Sequence, residues 1–351
     1  MSGGVDSAVA AYLLKLEGHE VIGVTLRTWQ SEDGTGSRCC EIDDARETAR
    51  SLGIKYYAFN CIGEFEKYVV GPFVESYIGG FTPNPCVICN SKIKWEQLIY
   101  HADVLKADFI ATGHYASVIR LENGRYTVKK ALHAEKDQTY MLYRLTQRQL
   151  ERTLMPLGNY SKAEVREIAK AAGLGVAGKK DSQEICFVTG GTYADFIEKN
   201  AQGRLLGEGY FLDENANILG RHKGIIHYTV GQRKGLGIPF DKPMFVKRIN
   251  AETNEIVLAP YEDTGTDVLI CKELNFLSIN TPKPGDRFKC IVKIRSRHQG
   301  SAAEASVLDN GCLKVIFDEC VRSAAPGQSA VFYDGGGCVI GGGVIAETYK
   351  R

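Results

Sequence analysis

No apolar run in the chain is long enough to cross a bilayer, and its polar opening is unlike a secretory leader, which argues against membrane and exported classes. No second C-x-x-C and no pair of spaced histidines accompanies the one C-x-x-C, so a closed four-ligand zinc site has little support. Internal repeats and low-complexity tracts are lacking, so repeat architectures are excluded. The glycine-rich opening "SGGVDS" lacks the lysine of a loop directed at a γ-phosphate. It also lacks a preceding apolar strand. Either the sequence has lost a strand of about 5–6 residues there, or the sheet is short of one member.

What is present bounds the class. The 351 residues are too many for one ordinary core and suggest two or three domains. Hydrophobic and charged contents of 44% and 24% are those of a soluble globular protein. Eleven cysteines without an export signal read as reduced thiols, metal ligands or catalytic groups. The expected compartment is the cytoplasm, or an organelle matrix if a transit peptide has been lost. Net charge is only +1, yet residues 221–248 carry seven Lys/Arg against one Asp, and 287–297 carry five basic residues and no acid. Such stretches suit a polyanion, although a solvated face explains any single run.

Apolar Val9, Tyr12, Leu13 and Leu16 recur at helical spacing, so the glycine loop opens a helix. A loop of this kind fans N–H groups toward an anion, and a phosphate chain is the expected guest; a capped turn is the alternative. Strand-like "VIGVTL", "YYAFN" and "DFIATGHY" alternate with helix-like stretches, which predicts a doubly wound parallel sheet with ligands at the strands' carboxyl ends. Beyond about residue 203 short alternating runs take over, with the hairpin signal "Asp-Asn-Gly" at 309–311. The expected architecture is α/β: a catalytic domain over 1–202, a small central β-rich domain over 203–256, and a C-terminal β-barrel over 257–351.

"TPNPCVICN" presents Cys86 and Cys89 on a proline-framed loop. A redox pair is one reading, although the surroundings do not suit a thioredoxin-like fold. A catalytic thiol with a distant partner is another, and Cys186 in "KKDSQEICF" is the candidate, with Lys179 and Lys180 to favour its thiolate. A buried structural Cys186 is the alternative. Gly113 and His114 end a strand in "ATGHYA", where glycine permits close approach of a base or ribose. Lys136, Asp137 and Gln138 form a polar cluster in "KDQTYMLYRL", which a helix cap at Asp137 also explains.

These stretches, together with "KIKW", "HYTVGQRKGLGI", "VIFDE" and "PGQSAVFY", resemble the tRNA-specific 2-thiouridylase family, in family order over essentially the whole chain. "SGGVDS" alone marks the wider PP-loop ATP-pyrophosphatase superfamily, with an adenine nucleotide alpha-hydrolase-like fold. The resemblance implies ATP-dependent 2-thiolation of the wobble uridine, position 34, of tRNA of the Lys, Glu and Gln type. Ser2, Gly3, Gly4, Val5 and Ser7 are then phosphate donors, Asp6 carries Mg²⁺, and Leu26 and Gly113 also touch ATP. Asn84, Pro85 and Cys86 cradle the target uracil. His114, Lys136, Asp137, Gln138, Arg295, Ser296 and Gln328 contact tRNA.

In the implied chemistry the C2 oxygen of uracil is adenylated, which makes it a leaving group, and sulfur then displaces it. Cys186 carries the persulfide, loaded by a sulfur-relay protein or a cysteine desulfurase. Cys89 is the second catalytic cysteine, acting as a nucleophile or resolving the persulfide as a Cys89–Cys186 disulfide. The wobble base has to leave its stack to reach such a pocket. Many relatives carry Asp where this chain has Cys86. Three cysteines, Cys86, Cys89 and Cys186, at one pocket would offer ligands to a [4Fe–4S] cluster, as related tRNA thiolases suggest. Cys39 and Cys40 have no assigned role. The rival activity is a PP-loop amide-forming ligase, which needs neither Cys89 nor Cys186.

Overall fold

The computed structural model describes residues 1–30, 41–179, 185–189 and 191–351. The glycine loop leads into α1 (Val5–Leu16), followed by β1 (Ile22–Arg27), α2 (Ile42–Ser51) and β2 (Lys55–Asn60). β1 and β2 pair in parallel, and β3 (Ile110–Ala111) pairs in parallel with β6 (Thr153–Leu154). An antiparallel hairpin of β4 (Ala116–Arg120) and β5 (Tyr126–Lys130) stands between them in sequence. The parallel layer is thus two separate pairs. Beside β1, the Met1 amine donates to the Val24 carbonyl and the Thr25 hydroxyl donates to the Met1 carbonyl at 2.7 Å, which aims the chain from β1's edge into the glycine loop.

Two long helices, over 62–78 and 85–105, each pass through a π-helical stretch, at Glu66–Val70 and Cys89–Trp95. The widened turn is a local departure that recurs at functional sites. The helix Lys162–Ala171 begins with a capping box, in which Ser161 accepts from the Glu164 amide and the Glu164 carboxylate accepts from the Ser161 amide. Such a cap contributes about 1 kcal/mol and fixes where Lys162 stands.

The central part is a four-stranded sheet in the order β8-β7-β10-β9, from β7 (Gly209–Leu212), β8 (Ile218–His222), β9 (Met244–Asn250) and β10 (Glu255–Pro260). The last part comprises β11 (Gly265–Phe276), β12 (Arg287–Lys293), β13 (Ser301–Val307), β14 (Leu313–Arg322), β15 (Ser329–Tyr333) and β16 (Val339–Tyr349). They close into a barrel in the order β11-β14-β13-β12-β15-β16, and Asp309-Asn310-Gly311 turns between β13 and β14 as the sequence predicts. Closure leaves no unpaired strand edge.

The domains share cores. Leu26, Phe65, Phe73, Ile93 and Phe187 bury together with Phe211, Val246 and Leu258 of the central sheet and Tyr228 of the segment between β8 and β9. Trp95, Ile99, Tyr140 and Leu145 bury together with Leu277, Val331, Tyr333 and Val339 of the barrel. A buried ion pair crosses the second junction: Lys293 Nζ lies 3.7 Å from Asp137 Oδ2, with side chains 10% and 5% exposed. Asp137 also accepts from the Thr139 hydroxyl at 2.9 Å, and that hydroxyl lies 3.1 Å from the Tyr333 hydroxyl. Lys293→Met leaves a buried carboxylate without its cation and is expected to cost about 3–5 kcal/mol of unfolding free energy. Lys293→Met with Asp137→Asn recovers most of it in denaturant titrations; equal losses in the two variants would contradict the pairing.

Candidate active site

The glycine loop is held by its own hydroxyls and by its neighbours. Ser7 Oγ donates to the Gly4 carbonyl at 3.0 Å and accepts from the Ser2 amide at 3.1 Å. Gly3 has φ +77°, and a Cβ there would lie 2.6 Å from the Glu41 carbonyl oxygen, so only glycine fits. Gly113, at the end of β3, presses on the same turn: its Cβ would lie 2.6 Å from the Asp6 carbonyl carbon and 2.9 Å from the Ser7 nitrogen. α1 carries no side-chain cap, which leaves its first amides for an anion. This arrangement fits a polyphosphate.

Asp6 lies at the centre. Tyr115 donates its hydroxyl to Asp6 Oδ1 at 2.7 Å, and Lys162 Nζ lies 2.8 Å from both carboxylate oxygens. Lys162 is 14% exposed. With both oxygens engaged, Asp6 as arranged fits a lysine partner better than a bare Mg²⁺ ion. Sequence reading missed Lys162 and Tyr115. The signal for Lys162 was its place directly after a helix-capping serine, and Tyr115 follows the predicted His114. Lys179 donates to the Gly3 carbonyl at 3.3 Å and pairs with Glu41 and Asp44, so its charge holds the glycine loop to α2. Its expected role in favouring a Cys186 thiolate is therefore not what its contacts serve. Lys180, Cys39 and Cys40 lie outside the described residues.

The second half of the site is the 82–90 segment. Asn84 caps the helix at 85, its side chain accepting from the Cys86 amide at 3.2 Å, with Pro85 in the first turn. Cys86 is exposed, and Cys89 is half-buried where the helix becomes π-helical. Asn90 is buried; its Nδ2 donates to the Met141 carbonyl at 3.2 Å, and among the described residues its Oδ1 accepts no hydrogen bond. The Met141 carbonyl demands a donor, which fixes the amide's orientation and leaves the oxygen as the open acceptor. Cys186 is half-buried, and the neighbouring Phe187 stacks edge-on against Phe65 and Phe73. Leu26, Cys89 and Cys186 all pack on this one core. Among the described residues no group of three His, Cys, Asp or Glu side chains could hold a metal ion.

The expected tRNA contacts separate into two kinds. Arg295 is exposed, its guanidinium donating to the Arg322 carbonyl at 3.3 Å, and Ser296 beside it is half-buried. Gln138 is internal, its Oε1 accepting from the Tyr115 amide at 2.9 Å, while Lys136 is half-buried. Gln328 donates from Nε2 to the carbonyls of Thr82 at 2.9 Å and Pro83 at 3.3 Å, and the Thr82 amide donates to the Pro326 carbonyl. The barrel thereby grips the loop that carries Asn84, Pro85 and Cys86. His114 shares a 2.9 Å hydrogen bond with Thr112, and its ring lies 5.2 Å from Trp95. Burial, helped by the Lys94 charge, pushes its pKa down to about 3.

The glycine-loop α/β domain, the central sheet and the closed barrel together define a three-part class of protein, identified by the families that its parts match. A family model described as "tRNA methyl transferase HUP domain" matches residues 1–190; "tRNA methyl transferase PRC-barrel domain" matches 194–260, and "Aminomethyltransferase beta-barrel domain" matches 266–345. A tRNA-specific 2-thiouridylase MnmA of Lachnoclostridium phytofermentans is 50% identical over 99% of this chain and 98% of its own length. The proteins of the same name from Clostridioides difficile and Caldanaerobacter subterraneus are each 48% identical over 99% and 100% of the chain, and 97% of their own length. The chain belongs to the tRNA-specific 2-thiouridylase family.

His114 gives the site a pH dependence. Its folded pKa of about 3 lies below the ordinary 6.5, so the unfolded chain takes up a proton first as pH falls. The stability it contributes is whole above pH 6.5 and is lost progressively toward pH 3. Between pH 7 and pH 4.5 the wild type should therefore lose more stability in urea titrations than His114→Gln; parallel losses would refute the assignment.

Proposed function

We propose that this protein 2-thiolates the wobble uridine of tRNA, consuming ATP, and that Cys89 and Cys186 carry the sulfur chemistry. The observation that carries the reading is the shared core: both thiols pack, with Leu26 of β1, on one set of buried side chains. Lys179, bonded to Gly3, precedes Cys186 by seven residues, a chain reach of at most about 25 Å.

In this reading the uracil O2 attacks the α-phosphorus of ATP, pyrophosphate leaves, and the base carries AMP on O2. The loop amides and Lys162 draw charge off the departing pyrophosphate. The terminal sulfur of a Cys186 persulfide adds to C2 and AMP departs. The Cys89 thiolate then attacks Cys186 Sγ, forming a Cys89–Cys186 disulfide and releasing 2-thiouridine; an external thiol reductant restores both cysteines. Arg295 and the other exposed cations of the basic stretches meet phosphates, so affinity falls with salt. Mg²⁺ accompanies ATP, with no protein ligand assigned. A sulfur-relay protein or cysteine desulfurase in the cytoplasm supplies the sulfur.

Nucleoside mass analysis of tRNA incubated with the protein, Mg-ATP and a persulfide source should reveal 2-thiouridine. Cys186→Ser and Cys89→Ser should each abolish it, and product formation by either variant would refute the cysteine roles. Gly113→Ala forces the glycine turn to shift and should weaken ATP binding about 5- to 150-fold, from the roughly 1–3 kcal/mol of overpacking. Unchanged ATP affinity would remove the glycine loop from nucleotide binding.

A further inference from the structure

Behind the Asn84–Pro85 turn lies a cavity of about 240 Å³, at the junction of the helix over 62–78 with the barrel. Neither Cys89 nor Cys186 lines it, while Asn84 and Pro85, the residues expected to cradle the target uracil, form part of its wall. Its walls include the rings of Tyr68, Phe73, Phe81 and Tyr143. Tyr68 is 38% and Phe81 41% exposed, so part of each ring is open to solvent. The polar edge is built from Arg144 and Glu273, paired at 2.6 Å, and from Lys272. Lys67 adds a further cation, 5.1 Å from the centre of the Tyr68 ring.

We propose that this cavity takes the base of a nucleotide directly flanking the target uridine; the inference rests on the tRNA reading above. The volume is below the roughly 300–1,000 Å³ of pockets for drug-sized ligands and suits one flat ring system. Exposed aromatic faces with cations at the rim are the chemistry by which unpaired RNA bases are held. Arg144 and Glu273 supply a donor and an acceptor to a base edge. The Asn84–Cys86 turn is three residues long, at most about 11 Å of chain, so a target base on its thiol side leaves its neighbour within reach of the cavity side.

The test measures binding of the full-length protein to anticodon stem-loops with uridine at 34, intact or with an abasic residue at 33 or at 35. One of the two abasic RNAs should bind about 5- to 150-fold more weakly than the intact RNA, from the roughly 1–3 kcal/mol of one base–aromatic stack. Tyr68→Ala and Phe81→Leu should weaken the intact RNA and leave that abasic RNA unaffected, with the salt slope unchanged. A variant lesion confined to folding would weaken both RNAs alike, and that result overturns the proposal, as does equal binding of all three RNAs. Loss of sulfur delivery without loss of RNA affinity in Tyr68→Ala would assign the cavity to a protein partner instead and also overturn it. Thiolation of the intact stem-loop by wild type, measured alongside, tests the tRNA reading on its own.

Discussion

The first turn of α1 is the part on which the rest depends. Gly113 presses on it from β3, closer than any side chain would allow. Lys162 and Tyr115 hold Asp6 from the helix Lys162–Ala171 and from the residue following His114. Lys179 ties the loop to α2 through Gly3, Glu41 and Asp44. Four separated parts of the sequence thus converge on a stretch of five residues, and each contact is either a steric limit or a charge pair. A turn pinned this way keeps its amides oriented before any ligand arrives, which is what preorganised charge stabilisation requires.

The same economy of position joins the domains. The barrel does not merely follow the nucleotide domain; its Pro326–Gln328 turn grips the carbonyls and amide of Thr82 and Pro83. Gly327, with φ +93°, would place a Cβ 2.9 Å from the Thr82 nitrogen, so the grip depends on glycine as well. Lys293 and Asp137 close the other side of the joint. The barrel is therefore tied directly to the loop that carries Cys86 and leads to Cys89.

Much of this was legible in the sequence because it depended on local pattern. Glycine spacing before an apolar helix gave away the tight turn into α1, and alternating runs with "Asp-Asn-Gly" gave away the hairpins of the barrel. That Cys89 and Cys186 would lean on one core was accessible only through family resemblance, because long-range packing of residues such as Ile93 and Phe187, and not spacing, builds that core. Long-range charge pairs were illegible: nothing local in "SKAEV" says that Lys162 will meet Asp6. Residues taken for RNA contacts, Asp137, Gln138 and Gln328, turn their polar groups inward to partners far along the chain. A polar residue's type gives its chemistry, and only the fold decides which way it faces.

The central claim is that the oxygen removed from the wobble base leaves on AMP formed at the glycine loop. It is tested most directly with a stem-loop whose wobble uracil carries oxygen-18 at C2, incubated with the enzyme, Mg-ATP and a persulfide source. The account predicts that the label emerges in the phosphate of AMP, in step with 2-thiouridine. Label appearing in pyrophosphate or in water, with unlabelled AMP, would contradict it.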